Sequence, residues 1–188
     1  MRRAELEHVI RAAAAAAGDD ELIVVGSQAI LGQFPDAPAS MLISREADVY
    51  PRNHPERGDE IEGSLGDGSY FDSTFGYYAH AVGPERAKAP SGWEGRLVPI
   101  RNENTGGVTG WCLEVHDLLL SKCAAGRERD WEFVEEALRH RLADPTELCN
   151  RAADLPIGQA QVESIQRMVE GVIARIQLTR VYPVPPER

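Results

Sequence analysis

The sequence predicts an α+β fold, a mixed β-sheet core flanked by helices with a helical C-terminal part. Three features carry that expectation. Short apolar runs bounded by Gly and Pro fill the first 114 residues, the pattern turns helical from His116 onward, and strands followed by helices define this class. The expected division is a core over 1–114, a helical part packed on it over 115–182, and a loose Pro-rich tail over 183–188. With 188 residues the chain can bury a sizeable hydrophobic core within one domain.

Each element has a local reason. A first helix is expected over 4–17, where the alanine run favours helix and Gly18 stops it. The apolar run Leu22-Ile23-Val24-Val25 reads as a strand that turns at Gly26-Ser27 into a helix over 27–32. Pro35 and Pro38 then break the chain, and a second strand over 45–50 stops at Pro51. Residues 57–73 are Gly-rich and acidic and read as a loop in which only 60–65 form a helical turn. Strands are expected over 75–82 and 95–100, separated by the polar loop 83–92, and Gly106-Gly107 turns into a last strand over 109–114. Helices follow over 117–125 and 130–140, then a short one after Pro145 and a long one over 158–180. The stripe Val162, Ile165, Val169, Val172 and Ile176 has helical spacing and is expected to pack on the body.

Composition narrows the partners. The formal net charge is −10, which opposes binding to a polyanion except where cations cluster locally. Arg86, Lys88, Arg96 and Arg101, with Arg127 and Arg129, read either as one basic groove or as ordinary solvated surface. No stretch is long or apolar enough to cross a membrane, and the alanine run, preceded by Glu5, Glu7 and Arg11 and without large apolar residues, reads as a helix rather than a signal peptide. Cys112, Cys123 and Cys149 are odd in number and in no metal-ligand pattern, so free thiols and a cytoplasmic location are expected. The five histidines show no paired spacing for zinc, although His80 lies on a strand near the carboxylates discussed next.

Those carboxylates are Glu46 and Asp48. Side chains alternate along a strand, so both face the same way with Cα atoms roughly 6.5 Å apart. Two converging carboxylates repel unless a cation lies between them, and hard oxygen ligands suit Mg²⁺ completed by substrate phosphates. Ser27, at the start of a helix, can present donors to an anion or can simply cap that helix. The acids have their own plain alternative, a solvated strand face.

The order of a Gly26-Ser27 turn and a Glu46/Asp48 pair resembles the nucleotidyltransferase superfamily. Its members use such a turn for a nucleoside triphosphate and paired strand carboxylates for its metal. The run Asp117-Leu118-Leu119-Leu120-Ser121-Lys122-Cys123-Ala124-Ala125-Gly126-Arg127-Glu128-Arg129-Asp130 is similar to the second motif of the AbiEii-like, or MenT-like, toxin branch. Carried over residue by residue, the resemblance implies that Lys122 and Asp130 complete the active site with Asp48 and Glu46. It places the nucleotide on Gly26, Ser27, Lys122 and Arg127, and the metal, Mg²⁺ or Mn²⁺, on Glu46 and Asp48. It further implies an NTP substrate, an RNA acceptor such as the tRNA 3′ end, and a cognate antitoxin protein as partner. The segment from Phe75 to Phe133 also looks like uncharacterised bacterial nucleotidyltransferase-like proteins. Two departures stand out: Glu46 occupies a place usually held by Asp, and the gap from Ser27 to Glu46 is long, with 34–40 as the inserted loop. Glu114 is the candidate for a third carboxylate.

The residues of the second motif have their own geometry. In one continuous helix, Lys122 and Asp130 would be about 12 Å apart along the axis and within about a quarter-turn, each reaching into a shared cleft. Lys122 would then neutralise phosphate charge and Asp130 accept a proton or hold a metal-bound water. Alternatively Gly126 breaks the helix and Asp130 caps the next one, with Lys122 a surface lysine. A small cationic acceptor, as in antibiotic nucleotidyltransferases, suits the acidic chain better than RNA, and a non-catalytic nucleotidyltransferase-like binding module is the reading from another class.

Overall fold

The computed structural model describes residues 1–181, with side chains through 177; the expected loose tail at 183–188 lies outside the described residues. Helix α1 (Arg3–Ala17) ends where Gly18 adopts φ 62°, and strand β1 (Glu21–Val25) follows. Next come a 3₁₀ turn at Ser27–Gly32, a second at Ala39–Met41, and β2 (Glu46–Pro51). Helices α2 (Gly58–Leu65) and α3 (Tyr70–Phe75) precede β3 (Tyr78–Ala81), β4 (Val98–Ile100) and β5 (Thr109–Cys112). The chain then runs through α4 (Val115–Ala125), α5 (Glu128–Arg139), α6 (Pro145–Ala152) and α7 (Gln159–Val181).

The five strands form one mixed sheet in the order β3-β2-β1-β5-β4. β1 is antiparallel to β2 and parallel to β5, β3 runs parallel to β2, and β4 pairs antiparallel with β5. Helix α1 lies across one face, close enough that a Cβ on Gly110 would stand 2.4 Å from Ile10 Cδ1. Leu22, Val24, Ala47, Val49 and Ala79 are fully buried under it. Alternation therefore turns Val25, Glu46, Asp48, Tyr78 and His80 to the opposite face. There Val25 pairs with Asp48, and β3 sets Tyr78 beside Glu46 and His80 beside Asp48.

One hydrophobic core joins the sheet to the later helices. Each residue of the α7 stripe, Val162, Ile165, Val169, Val172 and Ile176, is buried, as its spacing required. Asp144 caps α6 by accepting from Thr146 N at 2.8 Å, with Pro145 in the first turn where its missing N–H costs nothing.

Several expectations are corrected. The segment 57–73 is largely helical, because Ile61 and Leu65, one turn apart in α2, bury against α1 and β3. Phe75 ends a helix rather than starting a strand, since Gly76 with φ 76° caps α3, itself opened by Ser69 accepting from Asp72 N. Residues 93–96 form a 3₁₀ turn before β4, and β5 stops at Cys112. The 27–32 segment is 3₁₀, closed by bonds such as Ala29 N to Gly26 O.

Candidate active site

The site gathers at the end of β1. Gly26 leaves the strand with φ 65°, a conformation that disfavours any side chain. A Cβ there would stand 2.1 Å from Asp48 Oδ2. Glycine is thus required twice, for the turn and for the close approach of the Asp48 carboxylate. The six-residue 3₁₀ turn after it is too short for a helix dipole, so any pull on an anion must come from local N–H and hydroxyl donors and from side-chain cations.

Two adjoining cavities open over this point. The larger, about 560 Å³, is lined by Ser27, Glu46, Asp48, Lys122, Arg127, Arg129 and Asp130, together with Met41, Ile43 and Phe133. The smaller, about 270 Å³, is bordered by Gly26, Asp48, Arg86, Lys88, Ser121, Lys122 and Arg127. All six residues picked from the motifs, and Arg127 with them, therefore converge on one cleft.

Lys122 and Asp130 meet directly. Gly126 adopts φ 71° and ends α4, the chain reverses, and Asp130 returns in the first turn of α5. Lys122 Nζ donates to Asp130 Oδ1 at 3.1 Å and Arg127 Nε to Oδ2 at 2.8 Å. The continuous helix is thus excluded, and so is the capping role, because the Asp130 carboxylate faces cations instead of backbone N–H groups. Burial by itself would raise Asp130, but the Arg127 hydrogen bond and the Lys122 charge hold it below its ordinary value. An ionised carboxylate with both oxygens engaged is a poor proton acceptor. What it does is fix Lys122, which also lies over the Phe133 ring at 5.0 Å.

The strand carboxylates are asymmetric. Glu46 Oε2 accepts from the Tyr78 hydroxyl at 3.0 Å. Asp48 Oδ1 is buried and, among the described residues, has no hydrogen-bond partner. Burial first, then the Glu46 carboxylate, raises Asp48 to about 6. Glu46 is lowered in spite of its burial, because it accepts hydrogen bonds from Asp48 and Tyr78. Below about pH 6 the pair therefore shares one proton, held on Asp48, in the absence of a cation.

Residues 4–179 match the family described as a nucleotidyltransferase of unknown function (DUF6036). The chain belongs to this family of nucleotidyltransferases. Comparison with curated proteins and with solved structures gives no match. Among the described residues no helix is long and apolar enough to cross a membrane.

The cations of this chain sort unevenly. Arg86, Lys88, Lys122, Arg127 and Arg129 border the cleft of an otherwise acidic chain. Arg96 does not join them, because it is bound through Nε at 2.7 Å to Asp117, which is fully buried. Glu114 is also committed elsewhere. It caps α4 through His116 N at 3.0 Å and pairs with Arg151 at 2.7 Å, so it supplies no third carboxylate to the cleft. His80 lies beside Asp48 in register but lines neither cavity, and its Nδ1 stands 3.3 Å from Glu62 Oε2. Sequence reasoning missed Tyr78, Met41, Ile43 and Phe133. For Met41 the available signal was the 34–40 insertion, whose last residue, Ser40, lies beside it in the cavity wall.

As for a metal, the donor set suits a small hard cation, with two carboxylates on one strand face and one oxygen without a hydrogen-bond partner. Among the described residues no group of three or more His, Cys, Asp or Glu side chains could hold a metal, so substrate oxygens or water would complete the shell.

Proposed function

We propose that this chain transfers a nucleoside monophosphate from an NTP to an acceptor hydroxyl with release of pyrophosphate. The observation that carries the reading is the convergence of the Gly26-Ser27 turn, the Glu46/Asp48 pair and Lys122 on one cleft bordered by five cations. The triphosphate fits the smaller cavity, where Arg86, Lys88, Lys122 and Arg127 offset its charge and Ser27 offers a hydroxyl donor nearby. Mg²⁺ or Mn²⁺ held by Glu46 and Asp48 would neutralise phosphate charge when bound.

In the transfer the acceptor oxygen bonds to the α-phosphorus and the bond from that phosphorus to the bridging oxygen breaks. Pyrophosphate leaves and the acceptor proton passes to solvent. Lys122, held by Asp130, faces the charge that builds on the leaving group. The likeness of the Lys122-to-Asp130 run to the AbiEii-like and MenT-like toxins supports an RNA acceptor, the tRNA 3′ end, and control by a cognate antitoxin. Arg127 and Arg129 at the mouth of the larger cavity favour the same acceptor. A second reading, a small cationic acceptor of the antibiotic type, draws on Glu132 and Glu136 in that cavity.

The test is to incubate the purified chain with each α-labelled NTP, Mg²⁺ or Mn²⁺, and total tRNA, beside Asp48→Ala and Lys122→Ala. Label on RNA that is lost in both variants is the expected result, and label on small amines alone would select the second reading. Nucleotide binding without transfer to RNA, protein or amines would sink the enzyme and leave a binding module built on this fold.

A further inference from the structure

The structure assigns Tyr78 a positioning role: its hydroxyl clamps the long, flexible Glu46 side chain and holds its carboxylate at the cation site. This rests on the reading of Glu46 and Asp48 as a cation site and deepens it. The register between β2 and β3 places Tyr78 directly beside Glu46 on the cleft face, and the phenol donates to Glu46 Oε2 at 3.0 Å. Asp48, in contrast, has its Oδ2 packed against Gly26 and an Oδ1 that no donor reaches among the described residues.

The physical need is specific to glutamate. Its additional methylene adds a rotatable bond and moves the carboxylate outward, so an unrestrained Glu46 would sample positions that the backbone holds closed to Asp. One hydrogen bond from a rigid aromatic side chain on the neighbouring strand selects among those rotamers. With Asp48 ionised, the second oxygen of Glu46 is available to a cation. Hydrogen-bonding groups behind metal ligands typically alter affinity by about 10- to 100-fold, which sets the scale of the effect. An Asp at position 46 would be too short to reach the same hydroxyl, so the two residues should be coupled.

The experiment is a Mn²⁺ titration of the full chain, with free Mn²⁺ read by electron paramagnetic resonance and no nucleotide added. Wild type, Asp48→Ala, Tyr78→Phe, Glu46→Asp and the Glu46→Asp/Tyr78→Phe double variant are compared, each with its thermal melt. Tyr78→Phe is expected to weaken Mn²⁺ binding by about tenfold with an unchanged melt, and to have no effect in the Glu46→Asp background. Unaltered affinity in Tyr78→Phe, or an equal loss in both backgrounds, overturns the clamp while the cation site stands. If wild type and Asp48→Ala bind Mn²⁺ alike, the cation site itself fails and the clamp falls with it.

Discussion

Lys122 Nζ and Asp130 Oδ1 lie 3.1 Å apart although eight residues and a helix break separate them. The ion pair is nearly closed to solvent, with 13% and 2% of the two side chains exposed. Removing Lys122 leaves Asp130 Oδ1 without its partner, while Arg127 still holds Oδ2. Lys122→Ala should therefore abolish transfer and also lower stability, by about 1 to 2 kcal/mol, measured by urea denaturation.

Asp130→Asn separates positioning from proton acceptance. With its carboxylate saturated by Lys122 and Arg127, Asp130 should act through Lys122 alone. The expected result is a pH–rate profile of wild-type shape with a rate lowered by about tenfold, against the roughly 10²- to 10⁴-fold loss typical of a missing general base. Loss of the acidic limb of the profile would restore the proton-accepting role.

Gly26→Ala should be more damaging than its size implies. The added Cβ meets Asp48 Oδ2 at 2.1 Å and φ is 65°, so the strand carboxylate must move and the backbone strains together. A stability loss of about 2 kcal/mol is expected, with transfer falling to background. A fully active Gly26→Ala protein would show that the approach of Asp48 to the turn is dispensable.

Asp48 also makes a prediction about pH. Its folded value is raised to about 6, above the ordinary carboxylate value, so its contribution to stability is fully present in acid. That contribution is lost as pH rises from about 4 through 6. Without divalent cations, Asp48→Asn should gain on wild type across that window by on the order of 1 to 2 kcal/mol. Denaturation of both proteins at pH 4 and pH 7.5 measures it, and a constant difference would count against the raised value.

Glu114→Gln tests the corrected third carboxylate. Burial by itself would raise Glu114, but its bonds to His116 and the Arg151 charge hold it at about 2. Its stabilisation is therefore present at neutral pH and fades as pH falls from about 4 toward 2. At pH 7 the variant should lose about 1 to 3 kcal/mol with transfer rate unchanged, and the stability gap should close in acid. A loss of turnover without a loss of stability would return Glu114 to the active site.

Much of this protein was written locally. The alanine run ended by Gly18, the strand before Gly26-Ser27, the alternation of Glu46 and Asp48 and the stripe of α7 depend on neighbours within a turn or two, so periodicity and turn chemistry revealed them. The helices in segment 57–73 do not show in the sequence because both are short, α2 and the 66–68 connection are Gly-rich, and packing against α1 and β3 is what makes them helical. The α+β class was legible in the chain, and with the family resemblance so were Gly26, Ser27, Glu46, Asp48, Lys122, Arg127 and Asp130, but not Met41, Ile43 or Phe133 in the cavity wall. The division of labour among these residues was not legible. Which strand lies beside β2 decides that Tyr78 meets Glu46, and the αL turn at Gly126 decides that Asp130 meets Lys122 rather than an acceptor. The helical stretch beyond Glu114 decides that Arg151 claims it. Each of these contacts joins residues distant in sequence, and no local pattern encodes the sheet order, helix crossing or burial that brings charged groups within hydrogen-bonding distance.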